Sequence, residues 1–303
     1  MEKDSLSQGI KYMLIASFFF ALTGALARIL RDDISNVEMV LFRNLTGVVF
    51  IGYSLWRRPP VEKGGKIGLL IFRGLIGTLA LYAFFYGITK IGLAVAITYQ
   101  QSYPVFLAVI AAVFLGEKLK FKEWVAVLIG FSGVALIFFP QILLTQFNFK
   151  YHLIGVSNAL MTGLAYLSIR GLSEWYDERK IVLSFMICGI VLPLFSLALG
   201  EFVPIGQMDF LIAQFQWPES RSWVYILALG IAALIGQIFL TKAFFVPKTG
   251  VIGAIGYSNI VFSVFFGVML GDGIPGTESL AGITLVIISG IMISWKKAKK
   301  IKT

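Results

Sequence analysis

The sequence has very few of the residues that build metal centres and disulfide frameworks. Its 303 residues include one cysteine, Cys188, and one histidine, His152. A single cysteine excludes an internal disulfide framework and a cysteine-based metal cluster. A single histidine excludes a site built from several histidine ligands. We therefore expect no metal site and no cofactor.

Charged residues are also scarce. They make up 14% of the chain, whereas soluble domains carry about 25%. Hydrophobic residues reach 58%, which predicts an integral membrane protein. The excess of ten positive charges is explained by the lysines and arginines that collect in cytoplasmic loops. We therefore expect no nucleic-acid partner.

Acidic residues are missing from the predicted membrane interior. All 16 aspartates and glutamates fall in loops or at predicted helix ends, whereas a proton-coupled transporter typically holds a carboxylate or histidine inside the membrane. His152 is predicted at the outer interface. The nucleophile, metal ligands or paired acids of a membrane enzyme are lacking at membrane depth, and so is a G-x-x-x-x-G-K-[ST] phosphate loop. These absences argue against an enzyme or an ATP-driven pump and favour facilitated transport or exchange.

Long apolar runs fill most of the chain. At 1.5 Å per residue each run can cross a hydrocarbon core of about 30 Å, so we predict an all-α integral membrane protein with ten transmembrane helices. Most of the 26 basic residues then lie on the side of the termini, which predicts cytoplasmic N- and C-termini in the plasma (inner) membrane. The predicted spans are residues 10–31, 35–56, 67–87, 93–116, 122–140, 152–172, 181–200, 222–243, 250–271 and 280–295.

One predicted span has a polar break at its centre. Residues 90–119 read KIGLAVAITYQQSYPVFLAVIAAVFLGEKL, with TYQQSYP in the middle. Hydrocarbon cannot satisfy such groups, so we expect them to face protein or a water-filled cavity. Residues 251–272 match residues 96–117 in length, central polar break and terminal Gly-acid pair, which is Gly116-Glu117 in one and Gly271-Asp272 in the other.

The matching stretches predict an internal repeat. Residues 1–145 and 146–303 would each form one five-helix unit, and an odd number of spans inserts the two units with opposite orientation. Many secondary transporters have this arrangement, with a binding site near the midplane between the repeats. Chance similarity between apolar helices is the alternative explanation.

The sequence also resembles a known family. The segment GLAVAITYQQSYPVFLAVIAAVFLGEKLKFKEWVAVLIGFSGVALIFF is similar to the drug/metabolite transporter superfamily, specifically its ten-helix EamA-type members. Arg43 resembles an arginine often found in their second helix. The second copy departs from the pattern, with Asp272 in place of Glu and Asn259 where Pro104 stands. The resemblance implies two inverted five-helix repeats and export, uptake or exchange of a small solute that it does not name.

Three arginines, Arg28, Arg43 and Arg73, are predicted inside spans without an embedded acid. Arg28 is near the outer end of the first helix, where it can snorkel or meet Glu38. Arg73 is close enough to the cytoplasmic end of its helix to snorkel to the interface. Arg43 is deeper, and it either caps backbone carbonyls at the helix breaks or contacts a ligand. If Arg43 or Arg73 reaches the cavity, its uncompensated charge favours a carboxylate or phosphate on the solute.

Polar and aromatic side chains recur at four-residue spacing on several spans, which places them on one face of each helix. Such a face fits a bundle interior, where it either contacts a solute or hydrogen-bonds to neighbouring helices. The predicted substrate-binding residues are Arg43, Asn44, Arg73, Tyr82, Tyr86, Tyr99, Gln100, Tyr103, Asn158, Thr162, Tyr166, Gln237, Tyr257 and Asn259.

Together these features predict a secondary transporter. Its solute would be a small anionic or zwitterionic metabolite, of amino-acid or organic-anion type, moved by alternating access across the plasma membrane. Two alternatives stay open: an exporter of cationic drugs or amphiphiles, and a lipid flippase or scramblase. The expected partners are the solute and membrane lipid, with the chain as a monomer or a homodimer.

Overall fold

The computed structural model describes residues 2–30, 32–91, 93–114, 119–144, 148–202, 210–271 and 276–295. These residues form twelve helical segments and no β-strand, which confirms the predicted all-α class. Glu117 and Asp272, which close the two matching sequence stretches, lie outside the described residues. The helices are α1 (Glu2–Leu30), α2 (Asn36–Arg57), α3 (Ile67–Ile91), α4 (Leu93–Gln100), α5 (Tyr103–Phe114), α6 (Phe121–Leu144), α7 (Phe149–Leu172), α8 (Glu178–Gly200), α9 (Ser222–Phe244), α10 (Thr249–Ile255), α11 (Ser258–Met269) and α12 (Thr277–Trp295).

Seven stretches in the described part of the chain are long and apolar enough to cross a membrane. Large apolar side chains such as Phe50, Phe195 and Val224 are exposed on their outward faces, as contact with lipid requires. The protein is therefore a multi-pass membrane protein. The other three predicted spans are occupied by α4–α5, α6 and α12, and the total of ten crossings stays a prediction. The seven stretches are Leu6–Leu30, Asn36–Arg57, Ile67–Gly87, Phe149–Leu172, Glu178–Gly200, Ser222–Phe244 and Thr249–Met269.

Two pairs of packed helices, α1–α9 and α3–α7, run in opposite directions through the bundle. We call the end at which α1 begins the proximal end and the opposite end the distal end. At the proximal end, Gly9 near the start of α1 lies against Val246, just beyond the end of α9. At the distal end, Tyr86 near the end of α3 contacts Tyr151 at the start of α7. Each contact joins the start of one helix to the end of the other, so the two helices of each pair are antiparallel.

Two predicted spans are each broken into two helices. Gln101 and Ser102 separate α4 from α5, and Gly256 and Tyr257 separate α10 from α11. Pro104 has no backbone N–H to continue the helical ladder. At both breaks, backbone hydrogen bonds span three residues instead of the four of an α-helix. Examples are the bonds from the Ser102 N–H to the Tyr99 carbonyl and from the Gly256 N–H to the Gly253 carbonyl. The predicted polar break is therefore a true interruption of the helix.

The two broken paths cross at their breaks. The Tyr103 hydroxyl donates a hydrogen bond to the Gly253 carbonyl over 3.2 Å, and the Gln101 amide donates to Asn259 Oδ1, also over 3.2 Å. A Cβ atom at Gly253 would lie 2.8 Å from Leu107 Cδ2. The missing side chain at Gly253 thus permits the close approach of α5 and α10.

At each end of the bundle, a described connecting segment is fastened to the start of a neighbouring helix. The proximal strap, residues 58–66, joins α2 to α3, and its Glu62 accepts hydrogen bonds from the Asp177 N–H (3.2 Å) and Lys180 Nζ (2.6 Å) at the start of α8. The distal strap, residues 210–221, leads into α9, and its Gln216 N–H donates to Glu38 Oε1 at the start of α2 over 2.8 Å. A carboxylate thus fastens a connecting segment to a helix start at each end.

Candidate functional site

Two arginine side chains meet inside the bundle. Arg43 enters from the distal end, about two turns into α2, and Arg73 enters from the proximal end, about one and a half turns into α3. Their exposed fractions are only 6% and 1%. Their Cζ atoms lie 6.0 and 4.6 Å from the centroid of the Phe185 ring on α8, within the range of cation–π attraction. Phe185 therefore serves as a shared platform for both charges.

Arg73 does not snorkel to the interface, contrary to that sequence expectation. Its guanidinium group contacts Gly77, which is one turn further into the bundle. A Cβ atom at Gly77 would overlap Arg73 Nη1 and would lie 3.0 Å from two Phe185 ring carbons. The glycine makes room for the guanidinium to turn inward, so the charge of Arg73 lies in the interior.

The arginine pair has no acidic partner among the residues that the structure describes. The Nε atoms of both side chains are buried without a hydrogen-bond partner there. Glu38, the only carboxylate-bearing residue among the buried polar and charged side chains so described, accepts hydrogen bonds from the Ser35 N–H (2.9 Å) and from the distal strap instead. Two uncompensated positive charges therefore stand in the interior, where burial of an ion is costly.

Tyr166 on α7 links this arginine pair to the crossing of the broken helices. Both guanidinium groups interact electrostatically with the Tyr166 side chain. Its ring packs against Tyr103 and Phe244, with centroid distances of 5.0 and 5.1 Å. The Tyr103 hydroxyl is hydrogen-bonded to the Gly253 carbonyl. Tyr166 and Tyr103 therefore form a continuous series of contacts from the arginine pair to the crossing.

Two asparagines bridge neighbouring helices and keep one acceptor each. Asn44 Nδ2 donates to the Gly189 carbonyl on α8 over 3.3 Å and to the carbonyl of Val40. Asn158 Nδ2 donates to the Ala80 carbonyl on α3 over 2.6 Å. Both Oδ1 atoms are buried without a hydrogen-bond partner in the described part of the chain. The amide groups thus combine a packing role with a free acceptor atom.

Three of the predicted tyrosines lie toward the distal end. The Tyr82 hydroxyl is 3.0 Å from Ser196 Oγ. Tyr86 packs edge-on against Phe210 of the distal strap, with ring centroids 5.4 Å apart. The Tyr99 hydroxyl is 2.7 Å from His152 Nδ1, so the histidine joins α4 to α7. All three tyrosines thus contact side chains of neighbouring segments.

The remaining predicted residues make other contacts. Asn259 Nδ2 donates to the Ser17 carbonyl on α1 over 2.9 Å. The Tyr257 hydroxyl donates to the Val127 carbonyl on α6 over 3.3 Å. Gln237 Nε2 donates to Thr241 Oγ1 on its own helix over 3.4 Å. Thr162 is buried, and Gln100 is partly exposed.

Sequence reasoning overlooked Phe185 and Gly77, although both shape the surroundings of the arginines. Phe185 is one of 27 phenylalanines, and its apolar setting on α8 does not separate it from lipid-facing residues. Gly77 offered a weak signal, since it follows Arg73 by one helical turn and thus shares its face. The contact itself became visible only in three dimensions.

The described part of the chain thus has seven membrane-length stretches and two broken helical paths that meet in the interior, where buried charges lie. The sequence matches the EamA-like transporter family over residues 7–139. An uncharacterized transporter of Helicobacter pylori strain J99 is 31% identical, and the alignment covers 99% of this chain and 100% of the relative. The chain belongs to the EamA-like transporter family, which confirms the resemblance seen in the sequence.

Two further comparisons cover almost the whole chain. The pseudopaline exporter CntI of Pseudomonas aeruginosa strain UCBPP-PA14 is 28% identical over 98% of this chain and 99% of its own length. A solved crystal structure superposes with a TM-score of 0.76 and 16% identity, covering 98% of this chain and 99% of that one. The structural likeness shows the fold alone. The family and these relatives identify the protein as a membrane transporter of a small-molecule solute.

Proposed function

We propose that the protein is a secondary transporter that moves a small anionic or zwitterionic metabolite by alternating access, through facilitated transport or exchange. The observation that carries this proposal is the buried pair Arg43 and Arg73, which has no acidic partner among the described residues. Guanidinium groups bind carboxylates and phosphates through paired, charge-assisted hydrogen bonds. An anionic group on the solute would therefore supply the missing counter-charge.

Packing between helices supports two inverted repeats as the basis of this transport. If residues 1–145 correspond to residues 146–303, α1 corresponds to α7 and α3 corresponds to α9. The contact between α1 and α9 then has a counterpart in the contact between α7 and α3, and both are extensive. The same exchange replaces α2 by α8 and α6 by α12. The pairs α2–α8 and α6–α12 are therefore their own counterparts, and the helices of each pair also pack together. A site between such repeats is expected near the midplane.

The two straps occupy corresponding positions when the two predicted repeats are exchanged. The proximal strap is fastened to the start of α8 through Glu62, and the distal strap to the start of α2 through Glu38. Alternating access requires one end to open while the other stays closed. We propose that the straps are the two gates, and that each opens when its carboxylate contact is released.

The proposed orientation follows from charge. The proximal end carries most of the lysines and arginines, which favours a cytoplasmic position for that end and for both termini in the plasma (inner) membrane. The exporter among the relatives supports transport out of the cell as the direction of flux.

In this proposal Arg43 and Arg73 bind the anionic group, and Tyr166 and Tyr103 line the same place. The free Oδ1 atoms of Asn44 and Asn158 are the acceptors available to an N–H group of the solute. Tyr82, Tyr86 and Tyr99 line the approach to the arginine pair from the distal end. The hydrogen bonds of Gln237, Tyr257 and Asn259 favour a role in helix packing, and we assign none to Gln100 or Thr162.

Thermal stability of the detergent-purified protein against a metabolite panel tests the proposal. A ligand that binds the folded state raises the melting temperature by mass action, so amino acids, carboxylates, phosphorylated metabolites and cationic drugs can be compared directly. We expect stabilisation by anionic solutes that Arg43→Ala removes. Arg221→Ala is the matched control, because Arg221 is exposed and paired with Glu219.

The same experiment separates the alternatives. Stabilisation by cationic amphiphiles alone would contradict the proposal and would make the arginines structural residues of a drug exporter. A lipid scramblase would move labelled phospholipid across proteoliposome membranes without any solute. Rapid lipid movement of that kind, unaffected by Arg43→Ala, would replace the metabolite transporter with a scramblase.

A further inference from the structure

Arg43 and Arg73 bring two positive charges to one small region of the interior. Arginine keeps its proton in proteins, and both side chains are buried. Their Cζ atoms lie 6.0 and 4.6 Å from the centroid of the same Phe185 ring, which places both guanidinium groups against one side chain. The two arginines also repel each other, which adds to the need for negative charge between them.

Neutralisation of this pair requires something from outside the described chain. The side chains that interact electrostatically with Arg73, apart from Arg43, are Tyr166 and Cys188, and both are ordinarily uncharged. Their hydroxyl and thiol groups can accept or donate a hydrogen bond, but they cannot cancel a charge. The proposed function assigns this counter-charge to the solute.

The number of negative charges on the solute then determines whether both arginines gain a counter-charge. A solute with one negative charge leaves one buried arginine without a counter-ion, and an unpaired charge in the interior is strongly unfavourable. A zwitterion places its ammonium group beside two guanidinium groups, and Glu38, the one buried carboxylate among the described residues, is already hydrogen-bonded to Ser35 and to the distal strap. A solute with two negative charges satisfies both arginines, and each carboxylate accepts two parallel N–H bonds.

We infer that the solute is a small dianion, either a dicarboxylate or a doubly charged phosphate, with one negative charge for each arginine. This inference rests on the proposed function and narrows its solute class from anionic or zwitterionic to doubly anionic. Arg43 and Arg73 act as equal partners, each binding one anionic group, with both guanidinium groups against the Phe185 ring.

Probe pairs that differ by one charge test the inference. Wild-type protein in detergent at pH 8 is titrated with succinate and with monomethyl succinate, which has nearly the same shape and one charge fewer. Malonate with its monomethyl ester widens the size range, and inorganic phosphate with dimethyl phosphate forms the phosphate pair. Binding is measured from the rise in melting temperature. We expect the more charged member to bind at least about tenfold more tightly, which corresponds to about 1.4 kcal/mol.

Variants of each arginine test the charge matching. In Arg43→Gln and in Arg73→Gln, one positive charge is gone, so the affinities for succinate and monomethyl succinate should come within about threefold of each other. Arg43→Lys and Arg73→Lys keep the charge and should keep the preference. Arg221→Gln, at an exposed ion pair, is the control. If a glutamine variant does not fold, the lysine variants and the wild-type probe pairs still decide.

The outcomes distinguish this inference from the proposed function. Equal affinity of wild-type protein for succinate and monomethyl succinate, both weakened by Arg43→Gln, would overturn the dianion while the anion transporter stands. The absence of stabilisation by any anion would overturn the proposed function and this inference together. A tenfold preference in the dicarboxylate pairs or in the phosphate pair supports the inference and identifies which dianion the site takes.

Discussion

Arg73 illustrates how the direction of one side chain determines its role. A long basic side chain near the end of a membrane helix ordinarily turns back to the interface. Here the guanidinium group turns into the bundle, where it contacts Gly77 and the Phe185 ring. The space left by a missing Cβ atom is what allows this direction. A glycine without any chemistry of its own therefore keeps a positive charge at the candidate site.

Gly77→Ala tests this dependence at the scale of a single residue. The new Cβ atom would overlap Arg73 Nη1, so Arg73 must move away from Phe185. We expect binding of an anionic probe to weaken by about tenfold. Alanine raises helix propensity by up to about 1 kcal/mol, which offsets part of the steric cost and helps the fold persist. The measurement is the shift in melting temperature caused by the probe.

Gly68→Ala is the matched control on the same helix, because nothing lies within 4 Å of its new Cβ atom. This control should bind the probe as wild-type protein does and should melt at the same or a higher temperature. If Gly77→Ala binds the anion as well as Gly68→Ala does, Arg73 is not part of the anion site.

At the scale of secondary-structure elements, the start of α8 is fixed by a cap that also fastens α2. The Asp177 carboxylate accepts hydrogen bonds from the Arg179 N–H and Nε, both over 2.9 Å. Arg179 Nη1 donates to the carbonyls of Ser54 (3.2 Å) and Arg58 (3.0 Å) at the end of α2. Partial burial alone would raise the pKa of Asp177, but the hydrogen bonds and charge of Arg179 outweigh it and hold that pKa below its ordinary value.

Asp177→Asn should therefore destabilise the protein in a pH-dependent way. Because the pKa of Asp177 is lowered in the folded state, its stabilisation is complete above the unfolded pKa, near 4, and is lost as pH falls through the folded pKa. Asparagine keeps the helix cap but lacks the charge. We expect a loss of about 0.5–1 kcal/mol of unfolding free energy at pH 7 and a progressively smaller loss below pH 4.

Melting temperatures of wild-type and variant protein, recorded from pH 7 down to pH 3, provide the measurement. Glu219→Gln is the control, since Glu219 is exposed and pairs only with the exposed Arg221, and an exposed pair contributes little. A difference between wild type and Asp177→Asn that stays constant over the whole pH range would show that the charge on Asp177 does not stabilise α8.

At the scale of the whole molecule, the proposed mechanism makes the two straps the gates of the two ends. Cys188, the only cysteine of the chain, is partly buried on α8 and interacts with Arg73. Its thiol is thus a natural reporter beside the candidate site. A membrane-impermeant thiol reagent reaches it only from the end that is open.

Glu62 and Glu38 are the two carboxylates that hold the straps. Neutral variants of these residues should shift access to Cys188 in opposite directions. Glu62→Gln loses the ion pair with Lys180 (2.6 Å), so labelling of Cys188 from the proximal side should become faster. Glu38→Gln weakens the acceptor of the Gln216 N–H, so labelling from the distal side should become faster. We expect changes of about three- to tenfold, the effect of about 0.7–1.4 kcal/mol on a two-state equilibrium.

Vesicles of both orientations supply the measurement, with Cys188→Ser as the unlabelled control. Wild-type rates from each side define the starting balance between the two open states. Faster labelling from the same side in both variants, or no change in either, would contradict the assignment of the straps as opposite gates.

The sequence alone determined the class of this protein and its helix breaks. The length and composition of apolar runs are local properties, so an all-helical membrane protein followed from them directly. The break after Gln100 was predicted from Pro104 together with its polar neighbours, because proline removes one bond of the helical ladder. Proline alone does not suffice, since Pro193 lies inside the continuous helix α8. The family resemblance was carried by the same stretch. The depth of Arg43 could also be read from its position within α2.

Only the tertiary structure decided which of these residues meet. Arg43, Arg73 and Phe185 are far apart in the chain, and three different helices bring them together. The Asn44 amide and the Tyr257 hydroxyl, which stay predicted solute contacts, donate hydrogen bonds to backbone carbonyls of neighbouring helices, and the sequence did not indicate these partners. In a membrane protein, lipid-facing and buried surfaces are both apolar, so the sequence pattern does not mark the packing partner. Helix packing therefore determined where the two charges lie and which polar groups remain free beside them.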